Sequence, residues 1–243
     1  MRRFLLAPVL LMAGLPAWAH KPSYSEGQYN NAASAWTIQD PDVSIVLYHP
    51  VDCSSQVVWL RYEVPESREI FVQLGVPKID RLSDYEPQLA FVHTQGEAPT
   101  NVPFTPPEGY GVTPLALDDE RQDFFEPFTQ TESWILVERK VRVPAGVGYV
   151  AAWHPEGRTG KLWVAVGDVE DFGEQDWADI DSWYYNTRYF HELIPEGEAP
   201  ETDYCEPPMD ALAEGGCVAL PGTSLVMLGA LGMLRRRRRR HSA

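Results

Sequence analysis

A series of short runs rich in β-branched and aromatic residues, separated by Pro, Gly and Asp, constrains this fold more than any other feature. Seven such runs lie between residues 43 and 166: Val43–Tyr48, Val57–Tyr62, Glu69–Leu74, Leu89–Val92, Trp134–Val143, Tyr149–Trp153 and Leu162–Val166. Each has the length of a strand, and their spacing is typical of a sandwich. No long helical pattern falls between them, which disfavours a parallel sheet. The sequence therefore predicts a mostly β fold, a single β-sandwich or jelly-roll-like domain.

Three segments of this domain carry further expectations. The segment Val143–Val166, with its Gly-rich turn, predicts two neighbouring antiparallel strands. Residues 96–128, rich in Pro, Gly and acids, predict a long excursion that covers one sheet as a flap. Residues 172–193 predict one amphipathic helix. Its apolar side is formed by residues at helical spacing: Trp177, Ile180, Tyr184, Thr187 and His191. Because the opposite side is acidic, we expect this helix to pack on the sandwich rather than on a membrane.

The first residues predict export. Two arginines precede an apolar run, Phe4–Leu15, that is short for a bilayer span of about 20 residues. Ala17 and Ala19 then form the small-x-small pattern that signal peptidase accepts. We therefore predict a signal peptide over residues 1–19 and His20 as the mature N-terminus.

The last residues form a second processing signal. Gly215-Gly216-Cys217 precedes a short apolar segment and six arginines that begin with Arg235 and Arg236. The arginines would keep the C-terminus on the cytoplasmic side. The apolar segment supplies the predicted membrane-anchor residues: Leu225, Leu228, Leu231 and Leu234. A basic tail that contacts anionic lipid without being processed is the alternative.

This order of features resembles the C-terminal sorting tags of myxobacteria and related bacteria, the MYXO-CTERM type. The resemblance covers about the last thirty residues. It implies that a membrane-bound sorting protease cuts near Cys217 and that the product goes to the outer cell surface, where it stays tethered or is released. The Gly215-Gly216 pair also resembles a second, GlyGly type of tag, so the identity of the sorting protease stays open.

The predicted organisation is a signal peptide (1–19), a β-sandwich domain with its C-terminal helix (20–195), an acidic Pro-rich linker (196–216) and the tag (217–243). The whole chain has a net charge of −15; without the two arginines of the signal peptide and the six of the tail, the remaining segment carries −23. Nucleic-acid binding requires a basic surface, so this composition excludes a nucleic-acid partner.

The three cysteines suit an oxidising compartment. A disulfide between Cys53 and Cys205 would leave Cys217 to the tag and give every cysteine a role. The alternative, Cys205 with Cys217, would leave Cys53 free. We prefer the first pairing.

Two metal hypotheses arise from the sequence. A free His20 would present an α-amine and an imidazole that together can chelate copper. Four other histidines are candidates for a second ligand: His49, His93, His154 and His191. The acid-rich stretch that includes Asp168 and Asp171 is a candidate calcium site, although its spacing does not match an EF-hand loop.

Catalytic motifs give little guidance. The sequence contains no Gly-x-Ser-x-Gly elbow, no His-Glu-x-x-His and no phosphate-binding Gly-rich loop. Four strand tryptophans are expected in the core rather than stacked on sugar rings: Trp59, Trp134, Trp153 and Trp163. The preferred hypothesis is a non-catalytic surface protein that binds an unknown ligand. The alternatives are a copper-binding metalloprotein or copper-dependent oxidase that uses His20, and a secreted hydrolase with a carboxylate pair.

Overall fold

Two β-sheets pack face to face in the computed structural model, which describes residues 20–194 and 204–205. The first sheet has six strands, in the order β1 (Lys21–Tyr24), β3 (Ile45–Val51), β11 (Gly160–Val166), β5 (Arg68–Pro77), β9 (Thr131–Val143) and β8 (Gln122–Glu126). The second has five, in the order β2 (Trp36–Thr37), β4 (Val57–Val64), β10 (Gly146–Trp153), β6 (Gln88–His93) and β7 (Gly111–Leu115). The processing residues Ala19 and Cys217 and the predicted anchor lie outside the described residues.

The strand order is that of a jelly roll. The four strands β3-β11-β5-β9 of one sheet face the four strands β4-β10-β6-β7 of the other. Within each set of four, neighbouring strands are antiparallel. From β3 to β6 the chain alternates between the two sheets. All seven predicted strands are present, which confirms the mostly β sandwich. The sequence did not predict the short edge strands β1 and β2, each of which pairs in parallel with its neighbour, nor β7 and β8.

The expectation of two paired strands within Val143–Val166 is wrong. Strand β10 pairs with β4 and β6, whereas β11 pairs with β3 and β5 in the other sheet. Residues 154–159 connect the two strands, and this link is longer than a tight hairpin turn, so it can cross the roughly 10 Å between packed sheets. Both strands are mostly buried, and their apolar composition does not distinguish one sheet from the other.

The segment 96–128 is a flap only in its first part. Phe104 packs between Trp59 and Trp153 on the outer face of the five-stranded sheet, with ring centroids 4.7 and 5.2 Å away. The rest of the segment contains two strands: β7 extends the five-stranded sheet, and β8 pairs with β9 at the edge of the six-stranded sheet. The excursion therefore carries the chain from one sheet to the other.

The predicted helix over residues 172–193 is two helices, α1 (Glu174–Ala178) and α2 (Ile180–Phe190). The break falls at Asp179, whose backbone N–H is shared between the carbonyls of Gln175 and Asp176. Aspartate has low helix propensity, and three aspartates within six residues weaken a continuous helix at this point. The expected packing on the sandwich is correct: both helices lie on the outer face of the six-stranded sheet.

Cys53 and Cys205 form a disulfide with a Cα–Cα distance of 5.2 Å. This is the preferred of the two pairings. Cys205 is also bonded through its backbone N–H to the carbonyl of Gly157 at 2.9 Å, and Tyr204 forms a β-bridge with Arg158. Part of the predicted linker is therefore held on the sandwich.

We expect loss of this disulfide to lower the free energy of unfolding by about 3–5 kcal/mol, because the bond closes a loop of 152 residues in the unfolded chain. The variant Cys53→Ser/Cys205→Ser, compared with the oxidised protein by urea denaturation, checks this value. Equal unfolding midpoints would show that the bond adds nothing to the fold.

Candidate functional site

A cavity of about 220 Å³ lies between the outer face of the six-stranded sheet and the two helices. Its wall is mainly aromatic: Tyr48, Phe124, Phe128, Trp163, Phe172, Trp177 and Trp183. Polar side chains also line it: His20, Glu126, Thr129, Thr131, Ser133, Thr187 and His191. Trp177 is 62% exposed and stands at the mouth, whereas Trp163 is 3% exposed and forms the floor. An apolar cavity with a few polar groups is the usual form of a small-molecule site.

The floor depends on a glycine. A Cβ atom at Gly75 would overlap the indole ring of Trp163. Gly75 pairs with Trp163 across β5 and β11, so the missing side chain is what allows the ring to lie across the strand. The register also shifts between Leu74 and Gly75, where β5 meets β9. Gly75 therefore shapes the floor of the cavity.

A hydrogen-bond network joins the floor to the helix. His191 Nδ1–H donates to the Thr187 carbonyl at 2.8 Å, so the neutral ring accepts through Nε2 from the Ser133 hydroxyl at 3.1 Å. The Trp163 indole N–H donates to the same hydroxyl, also at 3.1 Å. The network links β9, β11 and α2 and satisfies each of these buried polar groups. The same Ser–His contact occurs in nucleophilic catalysis, but here the hydroxyl is held by an indole donor.

Further contacts hold α2 in place. The Tyr24 hydroxyl hydrogen-bonds Thr187 Oγ1 at 2.7 Å, and the Tyr48 ring packs on Phe190 at 4.9 Å between centroids. At the helix C-terminus, Lys161 Nζ donates to the Phe190 carbonyl at 2.8 Å, which suits a cation at the negative end of a helix. An eleven-residue helix is marginal alone, so α2 depends on these contacts.

His20 lines the same cavity. Its Nε2–H donates to the Gln73 side-chain oxygen at 3.2 Å, so Nδ1 accepts from the Ser44 hydroxyl at 2.5 Å. Burial lowers the pKa of His20. The first residue after the predicted cleavage point is thus part of the folded domain.

The metal hypotheses gain no support from this geometry and stay predictions. Among residues 20–194 and 204–205, no three His, Cys, Asp or Glu side chains form a candidate ligand group. Nδ1 of His20, the ring nitrogen able to chelate copper together with the α-amine, is bonded to Ser44. Asp168 pairs with Lys140 at 2.7 Å, and Asp171 is exposed.

The four candidate second ligands are dispersed. His191 lines the cavity, but both of its ring nitrogens are hydrogen-bonded. His49 is fully buried and bonds Ser25 and the Ser55 carbonyl. The other two also have local partners, since His93 bonds Thr113 and His154 stacks on Tyr85: neither lines the cavity.

Among the described residues that line the cavity, Glu126 is the one carboxylate. It is half-buried at the end of β8, and its Oε1 accepts the backbone N–H of Phe128 at 2.9 Å. Burial raises the pKa of Glu126, and the negative charge of Glu170 raises it further. The negative charge of Glu170, an exposed carboxylate, also acts on the ring of His20.

Part of this site could be predicted from the sequence. His20, Trp163 and most of the predicted apolar side of the helix line the cavity, although they were singled out for other reasons. Phe124, Glu126 and Phe128 were not predicted, because the acidic and Pro-rich composition of residues 96–128 is typical of a loop and gave no sign of strand β8. The dense aromatic pattern Phe124-Phe125-Glu126-Pro127-Phe128 was the available signal.

Trp59 and Trp153 lie under Phe104 on the other sheet, so both are core residues as expected, and Trp134 is partly buried beside Arg121. Neither the length nor the hydropathy of any helix within residues 20–194 and 204–205 is sufficient for a membrane span. Comparison with protein-family models and with curated proteins finds no match.

We expect acid to weaken the attachment of α2 through His191. Burial lowers the pKa of His191 to about 4, against about 6.5 in the unfolded chain. Between these values the unfolded chain binds a proton that the folded protein does not, so stability is full above pH 6.5 and falls as the pH drops to 4. The contribution is about 3 kcal/mol.

Urea denaturation of the wild type and of His191→Gln from pH 7 to pH 4 measures this effect. The gap in unfolding free energy between them should narrow as the pH falls. The control Val64→Ala, a buried core change without a titratable group, should keep a constant gap. Parallel curves for His191→Gln would contradict a neutral, buried His191.

Proposed function

We propose that this chain is an exported, non-catalytic binding protein of the cell envelope, tethered to the outer surface or released from it. Its cavity between the six-stranded sheet and the helices α1 and α2 takes a small ligand. The observation that carries the proposal is the cavity itself, an aromatic-walled space of about 220 Å³ beneath a helix that depends on its contacts with the sheet.

The polar chemistry of the cavity supports binding over catalysis. The hydroxyls and imidazoles of the lining are bonded to one another or to neighbouring groups: Thr129 with Thr131, Ser133 with His191, Thr187 with Tyr24, and His20 with Ser44. They therefore have partners without a ligand, and the hydroxyl of Ser133 is held between the imidazole of His191 and the indole N–H of Trp163. Aromatic rings are left as the main contact surface for a bound molecule.

A hydrolase remains the second candidate, and one observation favours it. Glu126 is a half-buried carboxylate in the cavity lining, and burial and the negative charge of Glu170 raise its pKa, as is typical of a catalytic acid that has a second carboxylate nearby. The apolar wall argues against a sugar substrate, whose hydroxyls need many polar partners. Turnover of chromogenic glycosides that is lost in both Glu126→Gln and Glu170→Gln would favour the hydrolase over the binding protein.

Export is supported by the disulfide and by the sequence signals. The Cys53–Cys205 bond is typical of oxidising compartments. The signal peptide and the tag resemblance remain sequence-based predictions that lead to the same compartment.

The proposal predicts that protein isolated from the envelope or medium of its host begins at His20, ends near Cys217 and carries a small molecule. Intact mass under native conditions should exceed the mass under denaturing conditions by the mass of the ligand. Trp177→Ala, which removes a ring from the mouth, should lose this difference. Since Trp177 is 62% exposed, the variant should still fold.

Tyr185→Ala is the matched control, because Tyr185 is 60% exposed on α2 and does not line the cavity. It should keep the ligand. Retention of the arginine tail would contradict processing at the tag. A mass difference that survives in Trp177→Ala would place the ligand elsewhere and contradict the proposed site.

A further inference from the structure

We propose that the cavity selects a compact organic cation: an ammonium or quaternary ammonium group on a small apolar body, bound with its charge toward Glu126 and its body among the aromatic rings. This inference deepens the proposed function and rests on it. It names the chemical class that the binding site accepts.

The aromatic wall is the first argument. The faces of Trp, Tyr and Phe rings carry negative electrostatic potential and attract cations, most strongly where water is excluded. The protein already uses one ring of this wall in that way, since Lys21 Nζ lies 5.9 Å from the centroid of Phe172. That ring lies 6.0 Å from Trp177 and 6.4 Å from Trp183, so a cluster of aromatic faces borders the space. Such a wall binds a cation with an apolar body.

The hydrogen-bond partners of the polar lining residues are the second argument. Most polar side chains of the cavity already have partners within the protein, as described above. Glu126 differs: its carboxylate is half-buried and its hydrogen-bond donor in the described residues is the backbone N–H of Phe128. A buried carboxylate is costly unless it is paired. A cationic ligand would supply the missing charge, whereas a neutral ligand would leave the carboxylate uncompensated.

The basic side chains around the cavity do not fill this role. Lys21 pairs with Asp176 at 2.8 Å, and Lys161 pairs with Glu192 at 2.9 Å. Arg188 donates to the Thr129 carbonyl at 2.8 Å and lies over the ring of Tyr184. None of the three lines the cavity.

The charge around the cavity is the third argument. Glu170 adds a second negative charge close enough to influence Glu126. The whole chain is strongly acidic as well. These charges repel carboxylates and phosphates and attract cations. An anionic ligand would also find no lysine or arginine among the described lining residues.

Size limits the ligand to a compact molecule. The volume of about 220 Å³ lies below the usual ~300–1,000 Å³ of pockets for drug-sized ligands. One aromatic ring or a short alkyl chain with a methylated ammonium group is of suitable size.

Phenyltrimethylammonium and its neutral isostere tert-butylbenzene form the test pair, because they share one shape and differ in charge. Titration of the processed protein, which begins at His20 and ends near Cys217, is followed by calorimetry and by tryptophan fluorescence, since Trp163, Trp177 and Trp183 line the cavity. We expect the cation to bind at least about tenfold more tightly than the isostere. Glu126→Gln should weaken the cation by about ten- to a hundredfold and leave the isostere unchanged.

Glu97→Gln is the charge-matched control: Glu97 is exposed at the other sheet, and its removal should change neither affinity. Glutamine keeps the shape and the acceptor of Glu126, and unchanged circular dichroism would confirm that the variant folds. Equal affinities for the two compounds, or a Glu126→Gln variant that binds the cation as tightly as the wild type, would overturn the cation preference.

Different outcomes distinguish failure of the cation inference from failure of the proposed function. If the host protein carries a neutral or anionic molecule that Trp177→Ala loses, the binding function stands and the cation inference falls. If no small molecule accompanies the protein and neither test compound binds, both fall.

Discussion

The packing of the Trp163 indole across Gly75 is the contact on which the site depends. Through this contact the flat indole ring lies on the outer face of the six-stranded sheet, while the inner face of the same sheet packs in the core. The ring donates its N–H to the hydroxyl of Ser133, and this hydroxyl donates to His191, the residue that follows α2. A strand face that would otherwise be solvated thus becomes the floor of a cavity, and the helix becomes its roof. The jelly roll holds the strands in place, and side chains on the outer face of its six-stranded sheet line the cavity.

Much of the sandwich could be predicted from the sequence because the buried strands are intrinsically apolar and β-branched. The run that forms β5 shows this: Ile70, Val72 and Leu74 alternate and all face the core, as a period of two requires. Partner choice could not be predicted in the same way. Strands β10 and β11 look alike in sequence, and only the tertiary arrangement places them in different sheets.

The site was less predictable than the fold for a related reason. Glu126 and its aromatic neighbours lie on an edge strand at the end of a Pro-rich segment, where composition favours loop. The break at Asp179 depends on local competition between weak helix formers and packing, which periodicity does not capture. The Cys53–Cys205 pair, by contrast, followed from counting three cysteines and assigning one to the tag.

The two ends of the domain are tied to the sandwich by different means. At the N-terminal end, His20 contributes its ring to the cavity through bonds to Ser44 and Gln73. At the C-terminal end, Cys205 is held by its disulfide and by a backbone bond to Gly157. If processing occurs as the sequence predicts, removal of the signal peptide leaves a new N-terminus beside the cavity. His20 would then be both the first residue of the mature protein and a lining residue of the cavity.

The central claim is that the ligand occupies the space between the six-stranded sheet and α2. The most direct test is the set of tryptophan indole N–H resonances in NMR spectra, recorded while phenyltrimethylammonium is added. The account predicts shifts at Trp163, Trp177 and Trp183, which line the cavity, and none at Trp59 and Trp153, which lie on the opposite sheet under Phe104. Shifts confined to Trp59 and Trp153, or equal at all five, would contradict it.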